Sequence, residues 1–311
     1  MIYSFTKKSN AAGGGKRAGM NSKVKMIASM VIWGSMGLVI RSTSLSTAAI
    51  ALMRGALGAA FLFLLATLTG RRVSWRPVRE NLGLLALSGA LLGANWIFLF
   101  EAYRRTTVQL ATLSYYLAPV LILAASPLVL KERLTARKAA CVLAALGGMA
   151  LVSKVGTGGA GDLTGILFGL SAAACYAGLT LTNKFLKGVS PMDATMVQLL
   201  VSAAALFPYA LFSGLLTFSG AGPMDALLLV ALGVVHTGLA FFWFFSSVRD
   251  LPAQTVAMFS YIDPATAILL SAVLLRERLD APQILGACLI LGAALAAELP
   301  FSRPSPKDAT R

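Results

Sequence analysis

The chain has 311 residues, of which 57% are hydrophobic and 13% charged, with 27 Lys and Arg against 12 Asp and Glu for a formal net charge of +15. Its mean hydropathy is +0.77. About a quarter of a soluble domain's residues are charged, so this composition excludes one. Nucleic-acid binding, the usual reading of so basic a chain, gives way to basic loops facing one side of a bilayer.

The same inventory removes other classes. Cys141, Cys175 and Cys288 each lie within an apolar run, which places none for a disulfide. One histidine and no Cys/His cluster leave no transition-metal site. No Walker-type glycine loop is present, so no ATPase and no cofactor are expected. Residues 1–22 carry Lys7, Lys8, Lys16 and Arg17 around a Gly-rich patch. They lack the apolar core and cleavage site of a signal peptide, and read as a disordered basic cytoplasmic tail.

A membrane helix needs roughly 20 mostly apolar residues. That ruler predicts an all-α integral membrane protein of ten transmembrane helices, near 24–41, 48–69, 82–103, 108–130, 136–153, 163–184, 194–217, 225–247, 252–275 and 281–298. The connections are short, so a single bundle with no soluble domain is expected. With both termini in the cytoplasm, 20 of the 27 Lys and Arg fall on the cytoplasmic side and six (Arg41, Arg104, Arg105, Lys154, Arg276 and Arg278) on the other, while Arg54 lies inside a span. This bias sets the expected orientation.

The stretch Ser114–Leu134, SYYLAPVLILAASPLVLKERL, recurs as Phe259–Leu279, FSYIDPATAILLSAVLLRERL. An offset of 145 aligns Tyr116 with Tyr261, Pro119 with Pro264 and Glu132-Arg133-Leu134 with Glu277-Arg278-Leu279, and it extends to Gly93/Gly238, Arg104/Arg249 and Gly147/Gly292. A long internal repeat of apolar spans marks a transporter built from two halves. Five spans per half is odd, so the halves are expected to be inverted: repeats at 23–154 and 163–298, with a second cytoplasmic tail at 299–311. Gly89-x-x-x-Gly93 and Gly165-x-x-x-Gly169 are spacings that let helix backbones approach closely.

Trp33-Gly34 in the first span, Arg54 early in the second, and a proline followed by a Lys/Arg-Glu-Arg-Leu end in the fourth and ninth give the chain a resemblance to the EamA family of the drug/metabolite transporter superfamily. The resemblance covers about 24–298. It implies a multi-pass carrier of the bacterial inner membrane, with a central cavity lined mainly by spans one, three, four, six, eight and nine. It also implies small-metabolite or drug substrates, often exported.

Charges at bilayer depth cost about 2.5–3.5 kcal/mol on insertion scales, so each one asks for a reason. Asp263 lies about halfway along the ninth span; its repeat mate is Ala118, so the repeat does not require an acid there. Pro264 follows it and leaves a carbonyl near Ser260 without its helical partner. Such a site can bind an ammonium group, a sodium ion or a proton; the alternative is an acid satisfied by a neighbouring hydroxyl or amine. His236 sits at similar depth in the eighth span, beside Phe241, Trp243 and Phe244, and titrates near physiological pH. A pair with Asp263 that exchanges a proton is the expectation, against a merely hydrogen-bonded histidine.

Asn95 and Trp96 in the third span supply amide donors and a flat wall, with Trp33 as a second wall; packing is the alternative for both tryptophans. Tyr115, Tyr116 and Tyr261 flank the repeated prolines Pro119 and Pro264. Tyr116 and Tyr261 are repeat mates and read as structural or gating residues, which leaves Tyr115 as the substrate contact. Arg54 and Glu101 reach similar depth on adjacent spans, so a structural ion pair is expected in preference to a substrate-binding arginine. Glu132 and Glu277 read as helix-end networks.

These residues point to a secondary transporter of small metabolites, such as amino acids, amines or related compounds, working by alternating access. Proton or sodium coupling and uncoupled facilitated diffusion are both open. A membrane-embedded enzyme is the weaker alternative, since no serine or cysteine nucleophile accompanies His236 and Asp263. The expected partners are a small-molecule substrate and the lipid bilayer, with the protein a monomer or homodimer.

Overall fold

In hydrocarbon each backbone amide must find its partner within the protein, and the helix is the local solution. The computed structural model describes residues 11–106, 108–152, 163–214, 216, 221–274 and 280–298, and every regular element among them is helical. The helices are α1 (Ala11–Arg41), α2 (Thr47–Leu68), α3 (Trp75–Glu80), α4 (Leu82–Arg105), α5 (Val108–Tyr115), α6 (Ala118–Leu130), α7 (Ala136–Val152), α8 (Leu163–Asn183), α9 (Pro191–Phe212), α10 (Pro223–Gly233), α11 (Ala240–Asp250), α12 (Ala253–Phe259), α13 (Ile262–Leu274) and α14 (Ala281–Glu298). A π-helical segment, Val234–Leu239, joins α10 to α11.

Among the described residues seven stretches are long and apolar enough to cross a membrane: Ser22–Ile40, Thr47–Leu68, Leu82–Arg105, Ala111–Leu130, Leu163–Asn183, Pro191–Phe212 and Pro223–Asp250. Ala281–Ala293 is a shorter apolar helix. α3 is absent from the sequence expectation; at six residues it is too short to leave a periodic signal. α1 begins at Ala11, inside the segment read as tail.

Short connections are held by caps. Ser46 Oγ accepts from Ala49 N (3.2 Å) at the start of α2, and Ser190 Oγ accepts from Asp193 N (3.1 Å) at the start of α9. Asp225 accepts from Gly222 N (3.0 Å), Thr43 Oγ1 (2.6 Å) and Ser44 N (2.8 Å), which ties the α1–α2 connection to the start of α10.

The helix contacts obey the 145-residue offset. The repeat mates α2 and α9 pack on each other, as do α7 and α14. α1 packs on α11 and α13 just as α8 packs on α4 and α6, so each half lends its first helix to the other. The small-residue spacings sit at two further crossings, α4 on α9 and α8 on α5. A Cβ on Gly89 would lie 2.8 Å from the Gln198 carbonyl oxygen of α9, and one on Gly169 2.7 Å from Ser114 Cβ.

Both repeated stretches are broken helices. α5 ends at Tyr115 and α6 restarts at Ala118; α12 ends at Phe259 and α13 restarts at Ile262. Pro119 and Pro264 fall in the first turn of the restarted helices, where a missing N–H costs nothing. Each proline therefore marks a new helix start within the bundle.

Candidate functional site

The two breaks face each other. Tyr261 Oη donates to the carbonyl of its repeat mate Tyr116 (3.1 Å), so one broken helix satisfies the backbone freed in the other. By repeat symmetry Tyr116 would return the bond to Tyr261. Instead its side chain shares the cavity wall with Asp263, the acid that stands where the first repeat has Ala118. The two breaks thus differ at Asp263, which lies in the first turn of α13, where the helix dipole favours an anion.

A cavity of about 30 Å³ opens between the breaks, walled by Trp33, Tyr115, Tyr116, Pro119, Ser260 and Asp263, with Met30, Ala118 and Tyr176 completing the lining. That holds roughly one or two waters, so a metabolite fits only when the surrounding helices separate. Trp33 is fixed by its indole N–H, which donates to the His236 carbonyl (2.9 Å), and by packing on Phe241 and Phe244 at 4.7 and 5.1 Å. Tyr115 packs against Tyr116 (5.6 Å) and Tyr176 (6.0 Å). Asn95 donates to the Ala172 carbonyl (2.8 Å), locking α4 to α8.

Of the six predicted substrate contacts, Asp263, Tyr115 and Trp33 line the cavity, and Asn95, Trp96 and His236 stand in the layer behind. The expected His236–Asp263 pair does not form. The π-helical segment turns the His236 ring so that Nε2 meets Ser35 Oγ (3.0 Å) and Nδ1 faces the Ala231 carbonyl (3.4 Å). Nor do Arg54 and Glu101 pair. Glu101 takes Arg104 (2.8 Å), Arg105 (3.2 Å) and the Tyr209 hydroxyl (2.7 Å), all near the end of its own helix or on α9. Arg54 stacks over Trp96 at 4.0 Å and donates to Met36 Sδ (2.9 Å). Tyr116 is a cavity residue as well as a partner of the break. Tyr176 was not anticipated; its signal was a lone tyrosine in an otherwise apolar span.

Glu132 has a specific task. Its Oε1 accepts from Ala253 N (2.9 Å) at the start of α12, and Gln254 Nε2 donates to the Arg133 carbonyl (2.9 Å). The charged end after α6 therefore caps the first half of the other broken helix. Its repeat counterpart, Glu277, lies outside the described residues. Replacing Glu132 with Ala removes a cap worth about 1–2 kcal/mol; the unfolding midpoint in detergent falls, and falls less for Glu132→Gln, which keeps an acceptor.

An all-helical bundle with paired broken helices around a small interior cavity is the architecture of a membrane carrier. The EamA-like transporter family matches residues 23–154 and 163–297. The chain is 31% identical over 278 residues to the uncharacterized transporter YxxF of Bacillus subtilis strain 168, covering 88% of each. It is 29% identical over 274 residues to an uncharacterized transporter of Archaeoglobus fulgidus, covering 88% of this chain and 94% of that one. Over 200 residues it is 26% identical to Protein RarD of Escherichia coli K12, covering 64% and 66%. A crystal structure with 20% identity superposes with a TM-score of 0.81 over 90% of this chain and 96% of the other, showing the same fold. The chain belongs to the EamA-like transporter family.

Proposed function

We propose that the chain is a secondary transporter that carries small amine-bearing metabolites (amino acids, amines or related compounds) across the bacterial cytoplasmic membrane by alternating access. The seven long apolar stretches, with α7, α12–α13 and α14, make ten crossings in two inverted repeats, 23–154 and 163–298, and both termini face the cytoplasm. The observation that carries the reading is Asp263, an acid at a helix break that lines an aromatic cavity together with Trp33, Tyr115 and Tyr116. An unneutralised carboxylate inside a bilayer is costly, and a cationic solute group or a proton offsets that cost during the cycle. Exchange of the inward- and outward-facing forms follows from the repeat, because the halves can trade conformations about the shared breaks.

The test is solute-driven proton movement in proteoliposomes holding the purified protein, read by an internal pH dye while amino acids, amines and organic acids are added in turn. A signal confined to amine-bearing solutes supports both the substrate class and proton coupling. Uptake of labelled solute without a pH signal leaves a carrier coupled to sodium or to nothing. Uptake of organic acids alone contradicts the assignment of Asp263.

A further inference from the structure

Residues 69–81 join α2 to α4 at one membrane surface, between two stretches that are each long enough to cross. Within them, residues 71–80 hold four arginines, one glutamate and no lysine. α3 lies in this segment and is fastened to the bundle. Val78 packs with Leu85, Leu186, Val189 and Ala194. Ser74 N donates to Asp193 Oδ2 (3.4 Å). Asn81, which ends α3, donates to the Lys187 carbonyl (2.8 Å) and accepts from Lys187 N (3.1 Å). The basic segment is thus held in a fixed place, with Lys187 of the α8–α9 turn beside it.

The rest of the segment is bare. Arg71, Arg72, Arg76, Arg79 and Lys187 are all exposed. Glu80 pairs with Arg76 (3.1 Å) at the surface, and Asp193 is 1% exposed, beneath the helix. Among the described residues no acid pairs with Arg71, Arg72, Arg79 or Lys187. Apolar side chains are bare beside them: Leu68, Trp75 and Leu82 are 75%, 58% and 53% exposed. Tryptophan and leucine at a membrane surface sit at the edge of the hydrocarbon, with basic side chains at headgroup level.

Charge bias alone does not account for this. Orientation is set by the count of Lys and Arg, and either residue serves. Here the choice is arginine throughout, whose planar fork pairs with two phosphate oxygens at once. Nor does the repeat require it. The 145-residue offset carries 71–80 to 216–225, which holds no Lys or Arg and ends on Asp225. The basic helix belongs to one half and one surface.

We propose that α3 and its flanks form a binding site for anionic phospholipid, with Arg71, Arg72 and Arg79 on the headgroup phosphate, Lys187 at the margin, and Trp75 against the glycerol and upper acyl groups. The leaflet is the cytoplasmic one in the orientation proposed above. A zwitterionic lipid carries its own cation beside the phosphate, so the site favours headgroups of net negative charge. The proposal requires only that the chain spans a membrane and is independent of the transported solute.

The experiment is quenching of tryptophan fluorescence in phosphatidylcholine vesicles that hold the full chain and a minor share of brominated phosphatidylglycerol or, in the matched sample, brominated phosphatidylcholine. The Trp75 signal is the difference between the wild type and Trp75→Phe. The anionic lipid quenches Trp75 at a mole fraction about tenfold or more below that needed by the zwitterionic lipid, since each Lys or Arg near an anionic surface contributes roughly fivefold. The triple substitution Arg71→Gln, Arg72→Gln and Arg79→Gln removes this preference. The triple substitution Lys131→Gln, Arg133→Gln and Lys138→Gln takes the same charge from the α6–α7 connection and keeps it. Equal quenching by the two lipids overturns the proposal. So does a preference that survives the first triple substitution, or one lost as fully in the second, which marks a general field and no site. Displacement of the lipid by glycerol 3-phosphate in the buffer marks a site for free phosphate and also overturns it. Where a triple variant does not fold, the wild-type comparison of the two lipids decides alone.

Discussion

Asp263→Asn abolishes uptake of amine-bearing solutes while leaving the protein folded. Asparagine keeps the size and polarity of the side chain beside Tyr116 in the cavity wall, so the break between α12 and α13 keeps its packing. What disappears is the negative charge proposed to face the solute. Removing one member of a desolvated charge pair costs about 3–5 kcal/mol, which corresponds to a loss of roughly a hundredfold or more in binding. Initial uptake rate is the readout, with size-exclusion profile and unfolding midpoint as controls for folding. Any pH dependence of uptake that arises from this carboxyl is lost with it. A variant that transports at the wild-type rate with an unchanged pH profile removes Asp263 from the mechanism.

The second large effect is expected at Gly34. A Cβ there would stand 2.6 Å from the Asp263 carbonyl oxygen and 2.6 Å from Thr266 Cβ. α1 thus touches the first turn of α13 through bare backbone, and the adjacent Trp33 forms the cavity wall. Gly34→Val must push α1 away from the broken helix. Overpacking of this kind costs about 1–3 kcal/mol, and the displacement falls on the site itself. Both the unfolding midpoint and transport drop. The control is Gly37→Ala on the same helix, where a Cβ meets nothing within 4 Å; it is neutral or slightly stabilising, since Ala favours helix over Gly by about 1 kcal/mol. Equal behaviour of the two variants contradicts the close approach of α1 and α13.

Much of this arrangement was legible in the residues. Apolar length and the 145-residue offset located the long helices, and the two prolines marked the places where helices break. The acid at 263 stood out because its repeat mate is alanine. The pairings were not legible, because depth along a helix can be counted but rotation about its axis cannot. Arg54 and Glu101 match in depth yet face different neighbours: Glu101 turns to Arg104, Arg105 and Tyr209, and Arg54 turns to Trp96. His236 and Asp263 match in depth too, but the π-helical segment rotates the histidine toward Ser35, and no composition or spacing announces that extra residue in the turn. Glu132 read as one more charged helix end, since its partner, the Ala253 amide, is a backbone group more than a hundred residues away.

The central claim is that one mid-bundle site is reached in turn from each side of the membrane. Ser260 lines the cavity and is small enough for Ser260→Cys to preserve it. With Cys141, Cys175 and Cys288 replaced by serine or alanine, that single thiol can be challenged with a membrane-impermeant reagent in vesicles of either orientation. The account predicts modification from both faces, slowed when a transported solute is present. Modification from one face only, or at a rate indifferent to every transported solute, contradicts it.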